Sequence, residues 1–207
     1  ESYSKEYTEA VDTVFHELEL HKVRLVTEEN LNDEQKEFLT QFFYDKLNGS
    51  VNPIWLNEID DLSALEDNRI YLAVEKTELD EEADSDKSKK KDKKDNEKKG
   101  KKKYAVVKVP DRIYGRWVKI PSSDGFDNIM YLDDVCRYCL PLVFLGFKES
   151  TYRAYSFKFT KDAEMELEND ADFGTMEKIA LGVNSRKKGE AVRVIYDREM
   201  PKEMQKK

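Results

Sequence analysis

The chain has 207 residues, of which 39% are charged and 39% apolar, with a formal net charge of -8. Eleven Tyr, ten Phe and two Trp exclude a chain that stays disordered throughout. The acidic balance argues against general nucleic-acid binding, and no stretch approaches the roughly 20 apolar residues of a membrane span.

Residues 3–21 place Tyr3, Tyr7, Val11, Val14, Phe15 and Leu18 at helical spacing, so one face wants another helix or a further domain to cover it. Val23, Leu25 and Val26 read as a short strand. Asn32 with Gln35 predicts a capping box for a helix carrying Phe38, Leu39, Phe42, Phe43 and Leu47, closed by Asn48-Gly49. Pro53 opens an extended run through Leu56. Residues 70–75 and 104–109 read as buried strands.

Between those two strands the composition changes. Residues 80–103 hold eleven Lys and eight acids, eleven minus eight or +3 in all. Such a segment buries too little apolar surface to offset the entropy of ordering it, and predicts a disordered charged insertion. Its rival reading is a polyanion-binding tool built on the lysine-rich stretch 87–103.

The alternation then resumes. Trp117–Ile120 predicts a strand, 121–125 a turn, and Ile129–Leu132 another strand. Asp133 is placed as the cap of a helix to about Leu145, with Pro141 kinking or shortening it. Tyr152–Thr160 predicts a long strand, Thr175–Arg186 an amphipathic helix, and Ala191–Tyr196 a last strand. Helices and strands without strict βαβ alternation predict an α+β fold with a mixed sheet.

Few residues suggest chemistry. No phosphate-cradling glycine loop occurs. His16 and His21 are the natural candidates for a phosphorylated nucleophile, but they fall on different faces of one helix with nothing nearby to activate them, and are read as exposed or packing residues. Cys136 and Cys139 form a lone C-x-x-C without the further ligands of a zinc site, and are read as reduced core or interface thiols in a reducing compartment. Lys161 or Asp162, after the longest strand, offers contact to an anion or a metal; the alternative makes Thr160 or Asp162 the cap of a turn. Arg193 suits either a phosphate or, preferably, an internal ion pair. No catalytic, cofactor-binding or metal-binding residue is assigned.

The order of short matches from about Leu25 to Pro201 resembles the head, or middle, domain of the long bacterial polyphosphate kinases. The matches are Asn52-Pro53-Ile54, Tyr71-Leu72-Ala73-Val74, Ala105 to Pro110, Arg116-Trp117-Val118, and Leu132 to Val135 with Arg137. They continue through Phe144 to Phe147, Ala154 to Phe157, Thr160 to Glu164, Val192-Arg193 and Met200-Pro201. The family often has Arg where Lys161 stands, and the lysine-rich insertion departs from many relatives. Residues 1–22 resemble the last helix of the family's N-terminal helical domain, which leaves 23–207 as the head domain and both chain ends as cuts from something longer.

The resemblance implies a parent that moves the terminal phosphate of ATP reversibly onto polyphosphate. It implies an autophosphorylated His, ATP and Mg2+ housed in two C-terminal domains resembling phospholipase D, and a cytoplasmic location with a membrane-peripheral one as its variant. It also implies that this piece is non-catalytic, with the parent's other domains and a homo-oligomer as partners. His16 and His21 match no catalytic position of the family.

Overall fold

The structure is a computed structural model and describes residues 2–59, 65–79, 101–145, 149–161 and 191–207. The predicted helix at Thr175–Arg186 and most of the charged insertion lie outside the described residues. The chain gathers into two compact units, Glu1–Asn52 with Val109–Val143, and Pro53–Lys108 with Phe144–Lys207.

The first unit begins with α1, Ser2–Leu20. Its apolar stripe is only partly used: Phe15 meets Trp117 and Tyr131 edge to face, with ring centroids 6.4 Å and 6.5 Å apart, while Tyr7 and Val14 remain exposed. Strand β1, Val23–Leu25, runs parallel to β6, Asp127–Tyr131, which pairs antiparallel with β5, Trp117–Ile120. This three-stranded sheet is therefore mixed. Trp117 and Tyr131 are directly opposed across it and stack at 4.1 Å.

Helix α2, Asp33–Phe42, starts at the predicted capping box. Asn32 Oδ1 accepts from the Gln35 amide at 2.9 Å, and Gln35 Oε1 accepts from the Asn32 amide at 3.1 Å. A single wider turn, Phe43–Leu47, continues it and keeps Leu39, Phe43 and Leu47 buried on one side. Gly49, with φ of 86°, then reverses the chain. Asn32→Ala is expected to lower stability by about 1 kcal/mol in urea unfolding, because one helix-end amide loses its partner.

After α3, Asp111–Tyr114, and the β5–β6 hairpin comes α4, Leu132–Tyr138. Here the structure corrects the expected cap and shows the shortening expected at Pro141. Asp133 does not cap: the cap position is Tyr131, and Asp133 sits buried in the first turn, 3.1 Å from Arg116. The helix starts directly off the strand, with the Leu132 amide bonded to the Arg116 carbonyl, so the carboxylate is left to pair with a cation. The helix also stops at Cys139 instead of reaching Leu145, and only α5, Leu140–Val143, follows. Pro141 lacks the amide that would continue the ladder.

The second unit is built on a five-stranded antiparallel sheet in the order β2-β4-β3-β7-β8. The strands are β2 Pro53–Trp55, β3 Ile70–Glu78, β4 Lys101–Lys108, β7 Ser150–Lys161 and β8 Ala191–Tyr196. A short helix, α6, Lys202–Gln205, ends it. Tyr71, on the central strand, stacks on Phe157 at 5.5 Å and Phe159 at 5.9 Å, among Leu65 and Val106. Its hydroxyl accepts from the Glu66 amide at 2.7 Å and donates to the Glu66 carbonyl at 3.2 Å. With two sheets and packed helices, the α+β class holds.

Candidate functional site

The sequence expectation that disorder runs to residue 103 is wrong at its C-terminal end. Lys101, Lys102 and Lys103 belong to β4, in register with Glu78, Thr77 and Lys76 of β3. Charge pairing explains the order. Residue 75 is directly opposite Tyr104 on one side and Arg153 on the other, so all three side chains share one face of the sheet.

Glu75 is 6% exposed at its side chain and gathers three donors on that face. Lys102 Nζ stands at 3.3 Å, Arg153 Nη2 at 3.1 Å, and the Tyr104 hydroxyl donates at 3.1 Å. Burial alone would raise the Glu75 carboxyl. The hydrogen bonds from Tyr104 and Lys102 and the charges of Lys102 and Arg153 outweigh it and hold the group below its usual range. On the opposite face Glu78 takes Lys103 at 2.7 Å and Lys76 at 3.5 Å, which relieves the direct Lys76–Lys103 opposition. Lys102 and Lys103 are thus paired with acids within the sheet, each remaining 41% exposed.

A cleft of 1190 Å³ opens beside this ladder, with Ala73, Val106, Phe157, Met204, Lys102 and Lys207 among its walls. Lys207 stands over the Tyr104 ring at 5.0 Å. The lining offers apolar contact, the cations Lys102, Lys103 and Lys207, and the acid Glu58. It is a shape for packing more than for bond making.

The other candidates are dispersed. His16 and His21 are both exposed. Cys136 and Cys139 are free and buried, as read from the sequence, and burial pushes both thiols up, Cys139 to about 12. Among the described residues no group of three or more His, Cys, Asp or Glu is placed to hold a metal ion. Lys161 ends β7 as a buried residue, its amide donating to Asp67 Oδ1 at 2.8 Å and its Nζ 5.9 Å from the Phe159 ring. Thr160 is inside the strand instead of capping a turn, and Asp162 lies outside the described residues. Arg193 is exposed opposite Thr160, not held in an internal ion pair.

Sequence reasoning missed the Glu75–Tyr104–Arg153 set. Its signal was an acid inside an apolar strand run, which becomes meaningful only once the strand partners and register are known.

Fold and side chains together define an α+β domain in which the ion pairs of Glu75 and Glu78 tie neighbouring strands together. The model of the polyphosphate kinase middle domain matches residues 34–207, so the chain belongs to that family. It is similar to the polyphosphate kinase of Vibrio parahaemolyticus serotype O3:K6, with 30% identity over 205 residues, 97% of this chain and 27% of that protein. It is also similar to the polyphosphate kinase of Escherichia coli K12, with 30% identity over 198 residues, 92% of this chain and 26% of that protein. The crystal structure of polyphosphate kinase from Porphyromonas gingivalis shares the fold, with a TM-score of 0.62 and 24% identity, covering 94% of this chain and 24% of that one. The chain therefore spans about a quarter of the length of these relatives.

Proposed function

We propose that this chain is the non-catalytic support domain of an enzyme that reversibly transfers the terminal phosphate of ATP to polyphosphate. The observation that carries the reading is the middle-domain match over residues 34–207, within relatives about four times as long. In this reading ATP, Mg2+ and the phosphorylated His belong to the parent's other domains, in the cytoplasm. The chain supplies a rigid platform and contacts to a second copy. The partly uncovered stripe of α1, with Tyr7 and Val14 exposed, supports a packing role for that helix.

Two measurements test the proposal. Incubated with labelled ATP, the isolated chain is expected to gain no acid-labile phosphohistidine, whereas the parent enzyme gains it; label on His16 or His21 overturns the non-catalytic assignment. Light scattering after size exclusion is expected to show self-association. A strict monomer at high concentration overturns the copy-to-copy contact and leaves the first result untouched.

A further inference from the structure

Helix α4 and the short turn Glu28–Asn30 are joined by a group of charges. Arg137 Nη1 lies 2.8 Å from Glu28 Oε1 on the turn and 2.6 Å from Asp134 Oδ1 on its own helix. Two carboxylates thus share one guanidinium nitrogen. A third carboxylate, Asp133, neighbours Asp134 and pairs with Arg116 at 3.1 Å. Glu28, Asp133 and Asp134 against Arg116 and Arg137 make three acids to two cations, or -1.

Among the described residues, Glu28 and Asp133 repel a charge on Asp134 and Arg137 attracts it. Cys136 and Tyr131 are neutral, their protons held by burial. On the neighbouring strands Lys119 and Asp127 are paired with each other at 2.7 Å. Helix α5 carries no charged residue. Asp134 and Asp133 are 13% and 11% exposed at the side chain, so water screens the excess poorly.

We propose that Glu28, Asp133, Asp134, Arg116 and Arg137 form an acid-strengthened latch: mild acidification places one proton on Asp134, balances the cluster, and fastens the 28–30 turn more firmly to α4. Burial first, and then the charge of Glu28, lift the Asp134 carboxyl to about 6 from 3.8. Because its folded value is raised, the folded state binds the proton more readily than the unfolded chain does. Stability therefore falls as pH rises through the window from 3.8 to about 6 and returns on acidification.

Urea unfolding at several pH values tests the latch, together with carbon-13 NMR titration of the Asp134 carboxyl in the unaltered chain. Between pH 7 and pH 5 the unfolding constant of the unaltered chain is expected to fall about tenfold. Asp134→Asn, which keeps an acceptor for Arg137, is expected to flatten that profile. Glu28→Gln is expected to reduce the slope and shift the Asp134 midpoint downward. An Asp134 midpoint in the ordinary carboxylate range overturns the proposal, and so does an Asp134→Asn profile as steep as the unaltered one. Should Asp134→Asn not fold, the NMR midpoint and the Glu28→Gln slope decide.

Discussion

Tyr71→Ala is expected to destabilise the chain by about 3–5 kcal/mol, the usual range for removing a buried aromatic ring. The ring is 1% exposed, lies on the central strand of the five-stranded sheet and stacks on Phe157 and Phe159. Its loss leaves a cavity that Leu65 and Val106 are poorly placed to fill, since both are anchored in separate segments. Tyr71→Phe separates packing from polarity. It keeps the stack but strips the Glu66 amide and carbonyl of the hydroxyl between them, at a cost of about 1–2 kcal/mol. Equilibrium unfolding in urea with unchanged m-value checks both; equal losses for the two variants would show that the hydroxyl, not the ring, carries the contribution.

Glu75→Ala is the second large effect, expected at about 2–3 kcal/mol. The carboxylate is buried, but Lys102 and Arg153 are 41% and 54% exposed and regain water when it is removed, which keeps the cost below that of a fully buried broken pair. Tyr104 loses its acceptor as well. The pH dependence runs opposite to that of the Asp134 cluster. Glu75 is held below its usual 4.5, so its contribution is complete above that value and is lost as pH falls through the lower folded value. Glu75→Gln is therefore expected to lose stability at neutral pH and to show a flatter fall of stability with pH below 4.5, in urea unfolding followed by tryptophan fluorescence.

The two clusters show why an acid cannot be interpreted by itself. Glu75 has several donors to one carboxylate, and its charge stabilises the fold. Asp134 shares one guanidinium nitrogen with Glu28, and its charge opposes the fold. In the sequence Glu75 stands between Val74 and Lys76 and Asp134 between Asp133 and Val135; the number of cations that the fold brings within reach separates them.

Much of the framework was legible beforehand, because local chemistry decides it. The Asn32–Gln35 box starts α2 where it must, since those two side chains satisfy helix-end amides three residues apart. The apolar runs at 70–75 and 104–109 became the paired strands β3 and β4, and Pro141 broke the helix after β6. The ordered matches were enough to name the middle-domain family, which the match over residues 34–207 bears out. Tertiary structure alone decided that Lys101–Lys103 are strand, that Asp133 faces Arg116 instead of capping, and that Glu75 meets Tyr104 and Arg153. The reason is physical: caps, turns and periodicity act over three or four neighbours, whereas an ion pair between residues 75 and 153 exists only after strand order and register have been set by burial.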